Sequence, residues 1–303
     1  NLQEGQSAKF RFLPDGNPGN TFFWQERAMI RLPFSGIKGQ ADSKQVMVQI
    51  PCMEMWGETC PVLTEVRPWF KDKSLEDMGR RYWKKRSYFF QGFVRENPIG
   101  DDKTPENPIR RFIIGPQIFT IIKAALMDPE MEELPTDYMR GLDFTITKTS
   151  KGGYADYNTS KWARKESALT PDERAAIDKY GLFDLSAFLP KKPTAVELQV
   201  IKEMFEASVD GQAYDADRWS QYFRPAGVQA PGASRDSEHS LDSAVESQPA
   251  QPTQPAAKAT PAQTASDDDS DVAEARQPVQ AAAGKSQSAQ DILAMIRSRQ
   301  KPA

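Results

Sequence analysis

Residues 80–95 read RRYWKKRSYFFQGFVR: six lysines or arginines, six aromatic rings and no acidic residue. The portion from Arg86 to Glu96 predicts a long strand entered through a basic approach. Along it Tyr88, Phe90 and Val94 share one face, and Phe89, Gln91, Phe93 and Arg95 share the other. One face is expected to be core. Rings on both faces exceed what a half-exposed strand requires. Single-stranded nucleic acid needs both components of this run. Cations follow the phosphates and release counterions, and ring faces stack on unpaired bases at about 1–3 kcal/mol per base. The bland alternative is a buried strand with a solvated basic approach. The expected contacts are Lys84, Lys85, Arg86 and one of Tyr88 or Phe89.

Outward from this strand, residues 8–13, 21–32 and 44–50 alternate as strands, and the stretch from Pro61 to Trp83 turns helical and irregular. Residues 97–108 are a Pro-rich acidic loop, 109–114 a short strand, and 116–127 a helix with Pro116 in its first turn. Residues 142–149 form another strand, running into the loop KGGYADYN. Thr170-Pro171-Asp172-Glu173 combines an N-cap, a first-turn proline and a glutamate at the third helical position, with Gly181 suited to the end; Thr194 with Glu197 repeats the capping box. Leu198, Ile201, Phe205 and Val209 line one face of that second helix. Strands and helices follow one another without a regular βαβ alternation, which predicts an α+β domain around a small antiparallel sheet or barrel.

Composition sets the limits of that domain. The 30 aromatic residues of the 303-residue chain all lie between Phe10 and Phe223, so the last 80 residues cannot build a core. Residues 225–287 read as a disordered acidic linker, rich in Pro, Ala and Gln and carrying the knot Asp267–Asp271. Residues 288–303 read as a short amphipathic helix, with Ile292, Leu293 and Ile296 as its apolar stripe and Arg297, Arg299 and Lys301 following. Alone it would fray; on a partner it would fold. The net charge of −3 belongs to this tail, since residues 1–225 carry 32 basic and 32 acidic groups. An average near zero does not exclude nucleic acid, because the electrostatic footprint is local. No apolar run is long enough for a membrane span. No phosphate-binding glycine loop occurs, and the one histidine, His239, lies in the tail, which removes histidine triads and histidine-ligated metal centres from the globular part. Two cysteines and no visible signal peptide predict a reducing cytoplasm. The chain begins at Asn1, as it would if an N-terminal piece preceded it.

Three further basic-aromatic patches accompany the first. Residues 148–165 place five cations and three rings around a Gly-Gly pair, with Lys151, Tyr154, Tyr157 and Lys161 as candidate contacts. Arg110-Arg111-Phe112 sits at the mouth of a short strand, and Arg27 and Arg31 follow Phe22-Phe23-Trp24. Cys52 and Cys60, spaced C-x7-C, cannot close a tetrahedral zinc site without two more ligands, and buried thiols are the simpler reading.

In order along the chain, KFRFLP, AMIRLP, C-x7-C-P-V, KKRSYFFQGFVREN, RRFIIGPQIFTIIKAAL and FTITKTSKGGYADYNTSKW resemble the single-stranded DNA-binding (helix-destabilising) protein family of T-even-type bacteriophages. The resemblance spans residues 8–165, with weaker helical similarity to about 223. It implies a distorted OB-fold β-barrel core (1–50 and 86–165), an added subdomain (about 51–85) and peripheral helices (166–224), together a binding core over 1–224. It also implies sequence-tolerant coating of single strands during phage replication, recombination and repair in the bacterial cytoplasm. Partners would be single-stranded DNA, replication or recombination proteins reached through Ile292, Leu293 and Ile296, and further copies of the chain bound cooperatively. The family's zinc is held by one histidine and three cysteines. Pro33 stands where the histidine is expected and Leu63 where the last cysteine is expected, so no metal or other cofactor is expected here, and an apolar cluster takes the place of that staple. The family's basic N-terminal segment is absent from this chain. Two other classes compete with this non-enzymatic reading. One is a metal-dependent nucleic-acid-processing enzyme using Asp101, Asp102, Asp143 and Asp156; the other is an RNA-binding OB-fold protein.

Overall fold

The computed structural model describes residues 2–100, 105–127 and 134–226. The linker beyond Ala226, the helix expected over 288–303 with Ile292, Leu293 and Ile296, and the candidates Asp101 and Asp102 lie outside them. Along the chain come strands β1 (Ser7–Phe12), β2 (Gln25–Phe34) and β3 (Val46–Pro51), and helices α1 (Pro61–Val66) and α2 (Glu76–Tyr82). Strands β4 (Lys85–Glu96) and β5 (Arg110–Ile114) lead to helix α3 (Pro116–Leu126). Then follow β6 (Asp143–Thr147), β7 (Thr149–Lys151), β8 (Tyr154–Asp156), β9 (Lys161–Trp162), α4 (Pro171–Tyr180), α5 (Ala195–Val209) and α6 (Ala216–Trp219). The protein is a mixed α+β fold whose strands pair mostly antiparallel. It divides into two compact units, Asn1–Ala28 with Arg86–Lys191, and Met29–Lys85 with Lys192–Ala303.

In the first unit β4 is the shared strand. It pairs β1 from Gly92 to Glu96 and β5 from Tyr88 to Gly92, and β1 in turn pairs β6, which pairs β9. The path ends at β9, and among the described residues no pairing closes it into the expected barrel. β9 has only two residues, and the chain before it folds into a separate two-stranded sheet, β7–β8, instead of prolonging β6. That segment was expected as a loop. Gly152 and Gly153 both take positive φ (62° and 84°), the backbone twist that a two-residue hairpin turn needs, so the Gly-Gly pair closes a hairpin. The expected strand from Thr21 also starts late, at Gln25, because the turn residues before it hold the chain off the sheet. The Asn20 side chain donates to Asp15 (2.7 Å) and to the Trp24 carbonyl (3.1 Å).

From Tyr88 to Phe93 every residue of β4 is buried. Phe90 and Tyr88 pack with Phe12, Phe144, Phe119 and Ile122 on the side that α3 covers. Phe93 packs with Leu13, Ile109, Leu169 and Ala176 of α4 in a second cluster. Both capping boxes form as the sequence predicts: Thr170 with Glu173 starts α4, and Thr194 with Glu197 starts α5. Gln91, fully buried, donates to the carbonyls of Pro14 (2.7 Å) and Phe183 (2.8 Å) and accepts from the Phe183 N–H (2.8 Å). Arg11 and Arg95 both reach Asp143, and Arg95 also holds Glu173 (2.8 Å).

In the second unit β2 continues antiparallel to β3, and Ile30, Leu32, Phe34, Val48 and Ile50 point into its core. Trp69, Tyr82 and Phe205 of α5 form an aromatic cluster, with Trp69 and Phe205 stacked at 6.0 Å and Tyr82 edge-on to Phe205 at 5.5 Å. Ser208 donates to the Pro33 carbonyl (2.5 Å).

Two outcomes follow from this packing. A Cβ at Gly92 would stand 2.1 Å from the Arg11 carbonyl oxygen, so Gly92→Ala should lower stability by about 2–3 kcal/mol, measured by urea unfolding; a change below ~0.5 kcal/mol would show that β1 gives way freely. Burial alone would raise the Glu173 pKa, but the Arg95 guanidinium and the Thr170 N–H outweigh it, and the net direction is down. A carboxyl depressed by folding stabilises above its unfolded value of about 4.3, and that contribution is lost as pH falls through the folded value. Wild type should therefore exceed Glu173→Gln in stability at neutral pH, with the gap closing as the pH falls below the unfolded value and through the depressed folded one. A gap independent of pH would contradict the assignment.

Candidate nucleic-acid interface

The register of β4 and β5 sorts the candidate residues by face. Gln91 lies opposite Arg111 and Phe89 opposite Ile113, whereas Gly92 lies opposite Arg110 and Phe90 opposite Phe112. Directly paired residues project to the same side of an antiparallel sheet. Arg110 and Arg111 therefore part, and Phe112 turns to the core, where its ring meets Phe10 edge-on at 4.9 Å. Arg111 emerges on the opposite face and is exposed.

On that face the first unit builds a ladder of cations and rings. The Arg27 guanidinium lies 5.0 Å from the Phe89 ring centre, and Phe89 lies 6.4 Å from Phe188. Arg111 then sits 4.3 Å from Phe188 and 5.0 Å from Phe183. Arg27 is fixed by a bond from its Nε to the Ser87 hydroxyl (3.1 Å). Burial lowers the Arg111 pKa. A guanidinium beside aromatic rings is attracted by their π faces, and its N–H donors suit a phosphate oxygen. Ile113 extends the face and is 41 % exposed.

A second patch is the hairpin. Lys151 and Tyr154 pair across its tip, both exposed, with Tyr154 at 45 %. Tyr154 thus stands on a strand, where the sequence suggested a loop. Gln117 of α3 donates to Asp156 (2.8 Å) and fixes the hairpin's base. Tyr157 follows half-buried, and Lys161 is exposed on β9.

The basic approach to β4 is placed differently from the sequence expectation. Lys84 is buried in the second unit and donates to Glu54 (2.7 Å). Arg86 meets Glu26 at 3.2 Å. Lys85 is half-buried at the start of β4, and Arg31 is half-buried on β2 opposite Gln49. Tyr88 stacks on Phe119 at 3.5 Å and is 5 % exposed; Phe89 is equally buried. Lys84, Tyr88 and Phe89 are thus withdrawn from solvent, because tertiary neighbours far along the sequence cover them. Phe183 and Phe188 were absent from the sequence-based candidates. Their local stretch, GLFDLSAFLPKK, carries no cation between the rings, so only tertiary contact with Arg111 reveals them.

No family model matches this sequence, and no curated protein matches it significantly.

At the expected metal staple, Cys52 and Cys60 are unbridged and buried, as are Pro33 and Leu63. The two thiols hydrogen-bond to each other. That bond favours the Cys60 thiolate, and backbone N–H groups of Leu63, Met53 and Val62 add to it, while burial opposes; Cys52 moves the other way. Among the described residues no group of three His, Cys, Asp or Glu side chains converges to hold a metal. Purified protein should contain no stoichiometric zinc, and a chelator should leave its melting temperature unchanged. Elemental analysis returning about one zinc per chain would overturn this.

Proposed function

We propose that this chain is a sequence-tolerant single-stranded DNA-binding protein that coats and protects unpaired strands and performs no catalysis. The observation that carries the reading is the ladder Arg27–Phe89–Phe188–Arg111–Phe183, which sets cations against rings on one sheet face. Cations there would follow phosphates, and the partly exposed Phe188 would take a base. Lys151, Tyr154 and Lys161 would add a second set of contacts. The ordered resemblance to the phage helix-destabilising family supports the same reading. On that footing the open antiparallel sheet of the first unit is a distorted OB-fold, and the setting is phage replication, recombination and repair in a bacterial cytoplasm. Partner proteins and cooperative self-association belong to the same proposal.

The carboxylates of the competing nuclease reading favour binding over catalysis. Asp143 is committed to Arg11 and Arg95, and Asp156 to Gln117, Asn158 and Thr149. An RNA preference is separated by competition between poly-dT and poly-U.

Titration of tryptophan fluorescence with oligo-dT at several salt concentrations tests the proposal. Affinity should fall steeply with salt, and Arg111→Ala should flatten the slope of log K against log salt by about 0.7 for the phosphate it releases. Phe188→Ala should weaken binding by about 1–3 kcal/mol and leave the slope unchanged. Lys84→Ala should instead lower stability by about 1–3 kcal/mol, since it removes a buried ion pair and leaves Glu54 with Arg67, and leave the slope alone. No binding of oligo-dT at low salt by folded protein would refute the function. Binding with an unaltered slope in Arg111→Ala would remove the ladder from the interface.

A further inference from the structure

Cys52 and Cys60 are the two cysteines of the chain, and both belong to the second unit. Cys52 follows the last residue of β3, and Cys60 precedes the first residue of α1. The seven residues between them fold on themselves. The Met55 N–H donates to the Cys52 carbonyl (3.1 Å) and the Glu58 N–H to the Met53 carbonyl (3.3 Å). Gly57 takes a φ of 70°, a left-handed turn that suits glycine. The chain thus comes back on itself, and the Cys52 thiol hydrogen-bonds to the Cys60 sulfur.

Both sulfurs are enclosed, Cys52 at 0 % and Cys60 at 2 % exposure, while Gly57, Glu58 and Thr59 beside them are exposed. Such a position favours a peroxide, a molecule little larger than water, over a bulky disulfide as the oxidant. The bond from Cys52, together with the backbone N–H groups of Leu63, Met53 and Val62, favours the thiolate at Cys60 against burial. A thiolate is the form that attacks. A second sulfur already in contact closes the resulting sulfenic acid into a disulfide before oxidation goes further. Only a short approach then separates the hydrogen-bonded pair from an S–S bond of about 2 Å.

We infer that Cys52 and Cys60 are a site of reversible oxidation by peroxide, whose product is a disulfide that staples the end of β3 to the start of α1. The Cys60 sulfur attacks one oxygen of hydrogen peroxide and the O–O bond breaks. The other oxygen leaves as hydroxide and takes the Cys60 proton, giving water and a sulfenic acid on Cys60. The Cys52 sulfur then attacks the Cys60 sulfur, the S–O bond breaks, and the departing hydroxide takes the Cys52 proton as a second water. Two thiols are oxidised by two electrons, and one peroxide is reduced to two waters. Exchange with a small dithiol returns both thiols. The inference is independent of what the ladder binds.

Dilute full-length protein exposed to hydrogen peroxide, quenched with catalase and unfolded for thiol titration tests it. Both thiols should disappear and return with dithiothreitol. The tryptic peptide Gln45–Lys71, which holds both cysteines, should lack two hydrogens that dithiothreitol restores. Oxidised protein should melt above reduced protein, because the bond restricts the unfolded chain. In Cys52→Ala the same exposure should carry Cys60 to oxygen-bearing forms that dithiothreitol does not reverse, whereas in Cys60→Ala the remaining Cys52 should stay reduced. Met127, 74 % exposed, reports that oxidant was present. Two titratable thiols in wild type after Met127 has become the sulfoxide would overturn the inference. So would wild-type thiols lost to oxygen addition, or a bridge between two chains. A bridge that lowers the melting temperature would overturn the staple, and Cys52 oxidising in Cys60→Ala as readily as Cys60 does in Cys52→Ala would overturn the order of attack.

Discussion

A guanidinium with no solvent exposure lies at the centre of the first unit. Arg11 lies between Phe10 and Phe12 on β1, and its Nη1 donates to Asp143 (3.1 Å) and to the Ser167 hydroxyl (3.0 Å). Its Nη2 donates to the Ser167 carbonyl. Burial lowers its pKa, the nearby Arg95 adds to that, and Asp143 and Glu173 act against both. Two cations and two carboxylates thus alternate, each buried charge facing its opposite. The network fastens β1, β4, β6 and the first turn of α4 to one another. Glu173 serves twice, since the carboxylate that closes the α4 capping box also receives Arg95. Removing one member of such a set strands its partners, a loss of about 3–5 kcal/mol where burial is complete. The backbone is shaped around it: a Cβ at Gly141 would stand 3.0 Å from the Arg11 guanidinium carbon and 2.4 Å from the Asp137 carbonyl.

Fixing β1, β4 and β6 in this way commits both faces of β4. One face feeds the Phe12, Phe90 and Phe144 core under α3; the other takes Phe93 and the α4 cluster, with Gln91 clipping the Phe183 segment down. The surplus of rings that the sequence displays along this strand is accounted for by two cores. Exposed chemistry is displaced to the margins: to Arg111 on the neighbouring strand, to Phe188 on the segment Gln91 anchors, and to the hairpin beyond β6. Clipping by Gln91 and stacking by Arg111 act on the same Phe183, so the core polar bond also sets the ladder's geometry.

How legible each part was in the sequence depends on the range of the interaction behind it. Thr170 with Glu173 and Thr194 with Glu197 settle helix starts through bonds that span three residues, and such bonds are visible in any short window. Pro116 and the apolar spacing of α3 are equally local. The hairpin was half legible: Gly-Gly signalled a turn, but three-residue strands of mixed polarity carry no clear alternation. Lys84 misled because its neighbours in sequence are basic, whereas the residue that neutralises it, Glu54, lies thirty positions earlier. Phe183 and Phe188 were invisible because the cation that marks them, Arg111, is more than seventy positions away. The carboxylates of the second reading, Asp143 and Asp156, likewise acquire structural partners only in three dimensions.

The contrast between Arg11 and Arg111 explains why one arginine supports the fold and the other the proposed interface. Burial lowers the pKa of each, completely enclosing Arg11 and only partly covering the exposed Arg111. At Arg11 the Asp143 carboxylate, the Ser167 hydroxyl and the Ser167 carbonyl accept from the two terminal nitrogens, so these are committed inside the unit. At Arg111 the neighbours are the faces of Phe183 and Phe188. A ring face attracts a cation by about 0.5–1 kcal/mol at exposed sites and accepts little hydrogen bonding, so among the described residues these rings leave most of the guanidinium's donor capacity open. A phosphate oxygen offers the charge and the acceptors that the rings do not. Restraint by two rings also limits the side-chain freedom that binding would otherwise cost. The same logic separates Lys84, neutralised internally by Glu54, from Lys151, which stands exposed at the hairpin tip beside Tyr154. Among the described residues Arg111 is set against two aromatic faces, whereas Arg11, Arg95 and Lys84 are held by carboxylates.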